Sequence, residues 1–316
     1  MGNVIDYEHG ISAVDGEYDR PLQTSVHLIV EEGRAAIIDP CVNRSVPRIL
    51  EALAEKGRGP ADVDWVILTH IHLDHAGGTG LLVSKLPNAR VTVHPRGARH
   101  LIDPSRLIDG TVEIYGADET RRIYGDILPV PAERLVETPH EVTVKLADRE
   151  LLFLDSPGHA RHHVVVRDSR SGHIFAGDTF GLSYRELDCD GRQFILPTTS
   201  PVQWDPVAHH ASVDMILAHQ PEAIYVTHYS QVRDIPRLGA DLHRLIDAHR
   251  EIALAHRDAG AARHERLRQG VAEIVFGEAA RYRWAFSRER VLEVLGWDIE
   301  LNAQGLGFWL DSLERD

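Results

Sequence analysis

Trp65–Gly78 reads W-V-I-L-T-H-I-H-L-D-H-A-G-G. Its four leading apolar residues predict a buried strand running toward Thr69. His70, His72, Asp74 and His75 follow within six positions, and Ala76-Gly77-Gly78 leads into a helix. Three imidazoles and a carboxylate crowded at a strand end are costly to hold together unless something binds them. One metal ion, and in the fuller reading two, accounts for them.

Spacing divides this cluster. His70-x-His72 on extended backbone points both rings to one side, so the pair can grip one ion. Asp74 and His75 come after the chain turns and face a neighbouring position. Neither pair suffices, because a catalytic zinc-like ion takes three protein ligands plus water. The missing ligands are expected at other strand ends, and His159, Asp178 and His228 each follow a run that reads as a strand.

Working outward, residues 24–30 and 34–38 read as a hairpin around E-E-G, and Asp39-Pro40 ends its second strand. Apolar spacing near 3.6 predicts a helix over 45–56 with a glycine exit at Gly57. The strand at 65–69 precedes a helix over about 77–86. A strand at 90–94 and a short helix at 95–102 come next. Residues 103–137 carry D-P, D-G and L-P-V-P punctuation around a helical centre and read as an inserted lobe. Runs at 141–146, 150–155, 163–167 and 173–177 form two further hairpins. The long irregular stretch 179–205 is of a length that is usually functional or a lid. A helix over about 206–219, a strand at Ala223–Thr227, a helical pattern from Pro236 to about Arg268 and tail helices near 287–295 and 306–314 complete the chain.

At 316 residues the chain can bury a substantial core, and 43% hydrophobic and 26% charged residues are ordinary for a globular protein. A net charge of -14 argues against a nucleic-acid or anionic-membrane surface. Cys41 and Cys189 are too few for a disulfide framework, and neither a signal-peptide pattern nor a membrane-spanning apolar run is visible. These features predict a cytoplasmic protein with a small-molecule substrate, without nucleic-acid or membrane partners. A homodimer is left open.

Five pieces stand in order: Asp39 after the second strand, T-H-I-H-L-D-H-A-G-G, S-P-G-H, A-G-D and V-T-H. On them the sequence resembles the metallo-β-lactamase superfamily over about residues 24–230. The resemblance implies an α/β fold, a four-layer αββα sandwich with a helical insertion and a helical C-terminal extension. The catalytic domain would span 1–235, with the insertion at about 103–137, and the extension 236–316. Position by position, it implies that His70, His72 and His159 hold a first metal. Asp74, His75 and His228 would hold a second, with Asp178 bridging. The cofactors implied are two divalent ions, zinc first, with iron or manganese as alternatives. An aspartate at 178 and no cysteine ligand resemble the glyoxalase II and lactonase branches.

The chemistry so implied is hydrolysis by a metal-bridging hydroxide of a small ester-like substrate, with lactone, thioester or ester ahead of phosphoester. Asp74 would double as the catalytic proton shuttle. The rival on the same fold is a di-iron oxygen-binding, redox or sensor protein. His75 favours hydrolysis, because iron flavoprotein relatives usually carry a glutamate within that motif. A third reading keeps the metals for structure only. Asp39 is expected to orient a ligand histidine or the loop. His163 is expected to start the next strand and His162 to face outward. His94, His100, His209 and His210 are expected on the surface or in packing. His249 and His256, one heptad apart, suggest an exposed stripe, and Cys41 a small buried hydrophobe. Phe180, Tyr184 and Arg185, following Asp178, are the candidate substrate contacts.

Overall fold

The computed structural model describes residues 4–200 and 202–314. A seven-stranded sheet takes its strands in chain order: β1 (Val4–Asp6), β2 (Ile11–Asp15), β3 (Ser25–Glu31), β4 (Arg34–Ile38), β5 (Val63–Ile67), β6 (Arg90–Val93) and β7 (Leu135–Glu137). It is antiparallel from β1 to β4 and parallel from β4 to β7. The second sheet comprises β8 (Val142–Leu146), β9 (Arg149–Asp155), β10 (Val164–Asp168), β11 (Ile174–Gly177), β12 (Ile224–Val226) and β13 (Ser230–Val232), in the order β13-β12-β11-β10-β9-β8. Its β8–β11 ladder is antiparallel, and β11 pairs parallel with β12.

The helices are α1 (Val46–Glu55), α2 (Leu73–Ala76), α3 (Thr79–Lys85), α4 (Pro95–Ile102), α5 (Ser105–Tyr115), α6 (Ala117–Tyr124), α7 (Pro206–Ala218), α8 (Ile235–Ala255), α9 (Arg263–Tyr282) and α10 (Arg288–Leu313). By compactness the chain forms two units, neither continuous. The first holds the chain up to Asp155, His162–Gly177 and Glu222–Gln231. The second holds Ser156–Arg161, Asp178–Pro221 and the chain from Val232 onward.

In the first unit the central strands serve two cores. Val26 and Leu28 of β3, Ala35 and Ile37 of β4, and Val66 of β5 pack with Ile49 and Leu53 of α1 and Leu82 and Val83 of α3. Their neighbours Ile29, Ala36, Ile38 and Ile67 pack instead with Leu151, Phe153, Val164, Val166 and Phe175 of the second sheet. Side chains alternate across a strand, so a strand buried on both faces needs an unbroken apolar run. That is why R-A-A-I-I and W-V-I-L lack a polar alternation.

Several expectations shift. β5 begins at Val63 and leaves the ladder after Ile67, two residues earlier than expected. β1 and β2 were not anticipated. The expected lobe at 103–137 is two short helices and an edge strand: α6 places Ile123 and Tyr124 in the first core, and β7 joins the sheet beside β6. The helical run after Pro236 breaks at His256–Ala262 into α8 and α9. The two expected tail helices are one, α10. Gly305 lies inside it because a Cβ there would sit 1.6 Å from the Thr199 carbonyl oxygen. Its role is close packing, not termination.

A candidate dinuclear metal centre

Asp39 is the organising side chain of the first unit's site. It is fully buried, and its carboxylate accepts from the Thr69 amide (2.9 Å) and hydroxyl (2.7 Å), the Thr227 hydroxyl (3.0 Å) and His75 Nδ1 (3.0 Å). Thr69 and Thr227 immediately precede His70 and His228. One carboxylate therefore sets the threonines of both T-H pairs and the ring of His75. The expectation that Asp39 orients a ligand histidine fits this contact.

Fixing one ring nitrogen aims the other. With Nδ1 held by Asp39, His75 turns Nε2 toward Asp74 Oδ2, 3.5 Å away. His228 contacts the Gln23 carbonyl (3.0 Å) and Thr24 hydroxyl (3.2 Å) through Nδ1, and its Nε2 lies 3.4 Å from the same Asp74 oxygen. Asp74, His75 and His228 each offer a ligand atom within 4.8 Å of the others. His70 Nδ1 meets the Thr69 hydroxyl at 3.1 Å, and its Nε2 lies 3.0 Å from His72 Nδ1. His72 presents Nδ1 to His70 and stands at the N-cap of α2, where the backbone turns from extended to helical.

The second unit holds the other two expected ligands. His159 Nε2 lies 3.6 Å from Asp178 Oδ2, and its Nδ1 meets the Thr198 carbonyl (3.0 Å) and hydroxyl (3.1 Å). The Thr198 hydroxyl reaches the Asp178 carbonyl as well (3.0 Å). Thr198 is flanked by residues that α10 clamps. Asn302 accepts from the Thr199 amide (2.7 Å) and donates to the Pro197 carbonyl (3.1 Å).

Glycines ahead of two ligands have steric causes. Gly177, at φ +48°, passes so close to Thr69 and His163 that a Cβ would meet their side chains at 2.5 and 2.6 Å. Gly158, at φ +135°, lies against the α7 backbone at His209. The glycines of A-G-D and S-P-G-H thus permit close approach in a backbone region that favours glycine.

Several residues depart from expectation. His163 does not begin β10, which starts at Val164; it is buried and stacks on His70 with ring centroids 4.7 Å apart. His162 does not face outward: it is 9% exposed, its ring 5.7 Å from that of His72. His249 is fully buried, its Nδ1 donating to the Leu245 carbonyl, and burial pushes its pKa down to about 4. His249 is thus no part of an exposed stripe. His209 is buried in packing, as expected, and desolvation pushes its pKa down to about 3. His94 is a buried N-cap of α4. Cys41 is buried as expected, its thiol pushed up to about 12 by burial.

Phe180 and Tyr184 are enclosed, and the Tyr184 hydroxyl donates to Asp298 of α10 at 3.0 Å. Arg185 reaches the Ser183 carbonyl and Asp188. Tyr184 and Arg185 thus serve packing within the second unit. Thr69, Thr227, Thr198 and Asn302 went unnoticed in sequence. Only the repeated T-H pair at two strand ends could have flagged the first two.

The donor set fits divalent metal. Imidazole nitrogens and carboxylate oxygens bind zinc at about 2.0–2.2 Å, so ligand atoms on one ion stand about 3.3 Å apart. The donor pairs above, at 3.0, 3.4, 3.5 and 3.6 Å, match that spacing. The hydrogen bonds behind His75, His159 and His228 fix which nitrogen each ring presents.

Comparison with known proteins agrees with this fold. The family model of the metallo-β-lactamase superfamily matches residues 19–228. Hydroxyacylglutathione hydrolase of Xanthomonas campestris is 30% identical over 186 residues, covering 59% of this chain and 54% of the relative. That of a Synechococcus species is 33% identical over 145 residues, covering 46% and 43%. The chain thus spans about half the length of these relatives. The crystal structure of an archaeal metallo-β-lactamase superfamily protein from Sulfolobus tokodaii superposes with a TM-score of 0.66 at 20% identity, covering 94% of this chain and 98% of that one. With the family model matching well over half of its length, the chain belongs to the metallo-β-lactamase superfamily.

Proposed function

We propose that this protein is a dinuclear metal-dependent hydrolase of a small ester-like substrate. His70, His72 and His159 would hold one ion, and Asp74, His75 and His228 the other, with Asp178 as the seventh ligand. The observation that carries the reading is the Asp74–His75–His228 group, set from behind by Asp39. Histidines kept for packing do not need a carboxylate fixing one nitrogen while the other faces a second carboxylate.

Two divalent ions bound there would supply Lewis acidity and a water acidic enough to act as nucleophile near neutral pH. The chain's own part is orientation and proton handling. Asp39 holds His75 in one tautomer, and Thr24 and the Gln23 carbonyl hold His228. Asp74, with its side chain 23% exposed, keeps access to solvent and takes the proton-shuttle role at its carboxylate. The matched hydroxyacylglutathione hydrolases support placing thioesters first among substrates, ahead of lactones and other esters.

The test is metal analysis of protein from unsupplemented growth, followed by a panel of thioesters, lactones and phosphodiesters. Two zinc, iron or manganese ions per chain and thioester or lactone turnover are expected. Asp74→Ala should lower turnover at least about a hundredfold, the scale on which one preorganised charged group matters, and reduce the bound metal. Iron-oxo absorption without hydrolysis of any panel member would overturn the proposal in favour of the di-iron reading. Metal whose removal lowers only stability would leave a structural role.

A further inference from the structure

A second cluster of metal-binding side chains lies within the second unit, on α7 and α8. His210 and His243 stack with ring planes 7° apart and centroids at 4.9 Å, their Nδ1 atoms facing each other at 2.6 Å. Behind each ring stands a carboxylate. His210 Nε2 lies 3.1 Å from Asp247 Oδ1, and His243 Nε2 lies 3.1 Å from Asp214 Oδ1. An ionised carboxylate only accepts, so each contact places the ring proton on Nε2. The two Nδ1 atoms then face one another at a distance that calls for one positive charge between them, a shared proton or, in its place, a metal ion.

We infer that His210 and His243 form a bis-histidine site for a first-row divalent transition-metal ion. A carboxylate behind each ring is the arrangement that orients metal-ligating histidines and raises their basicity. Imidazole selects ions of the nickel, copper and zinc group over magnesium or calcium. Metal–nitrogen bonds of about 2.0–2.1 Å put two ligand atoms about 3.3 Å apart, so these nitrogens must separate from 2.6 Å, by about 0.7 Å, to share one ion. The histidine side chains are 28% and 26% exposed, so an ion can enter from solvent and keep water in its remaining positions. His210 belongs to α7 and His243 to α8, so the ion would tie these helices together. Its ligands are none of the seven assigned to the dinuclear centre.

The test uses the full chain loaded with two equivalents of zinc, which the many-ligand dinuclear centre takes ahead of a two-histidine site, then titrated with Ni²⁺ by isothermal calorimetry. One further equivalent of Ni²⁺, with no zinc released, is expected for the unaltered protein. His243→Ala should abolish that equivalent. Asp247→Asn, which keeps both imidazoles, should weaken it about tenfold. Circular dichroism checks the fold of each variant, and the zinc content reports the dinuclear centre separately. The inference fails if the unaltered protein takes up no further equivalent, or if His243→Ala binds Ni²⁺ as tightly, which would mark adventitious binding by other histidines. It also fails if Asp247→Asn leaves the affinity unchanged.

Discussion

His75 and His159 are both expected metal ligands, yet the two units support them differently. Behind His75 stands Asp39, whose two oxygens take four donors: the Thr69 amide and hydroxyl, the Thr227 hydroxyl and the ring itself. Behind His159 stands Thr198, in a loop whose neighbouring residues are held by Asn302 of α10. The first support is a single buried charge among strand ends. The second is a relay that ends in the C-terminal helices. Within the second unit, α10 therefore braces the loop that sets a ligand, which gives the C-terminal extension a part in the site.

Asp39→Asn should break the comparison most severely. An amide offers one oxygen where four donors converge, and its NH₂ group would face donors on the other side. Metal affinity should fall about 10- to 100-fold, the scale for losing the partner of a ligand histidine, measured by competition with a chromogenic chelator. Asn302→Ala should act more weakly, because Thr198 still reaches His159 through backbone and hydroxyl. About a tenfold loss of affinity, at the lower end of that range, is expected, with a drop of about 2 kcal/mol in denaturant stability from the buried amide and carbonyl left behind. Equal effects from the two variants would erase the distinction between the supports. Tyr184→Phe should sharpen it with the smallest effect. Losing the hydrogen bond to Asp298 should cost about 1 kcal/mol in thermal unfolding, with metal content and turnover unchanged. A fall in turnover alone would return Tyr184 to the active site.

Much of this was legible in the chain before any coordinates. Apolar runs buried on both faces marked β4 and β5, and the side chains just beyond strand ends marked the ligands, because both signals lie within a few residues. The helical part was less legible. Two tail helices were expected, yet they are one, with Gly305 inside α10 where the Thr199 backbone approaches. Leu238, Leu242, Leu245 and Ile246 predicted a long helix correctly, but nothing in the pattern marked the break at His256–Ala262. His249 looked like part of an exposed stripe and is fully buried. Periodicity shows where apolar side chains recur and says little about which helix covers a polar one.

By itself the sequence determined the types of the candidate ligands, their order and their placement at strand ends, because spacing within a motif is a local property of the backbone. Only the tertiary structure decided what stands behind each ligand. His75 and Asp39 are 36 residues apart, His159 and Thr198 39, Thr199 and Asn302 103, and Thr227 and Asp39 188. Pairing at such separations depends on how sheets and helices pack, and no local pattern encodes it. The same holds for His210 and His243, one on each of two helices, whose facing nitrogens exist only because α7 and α8 lie side by side.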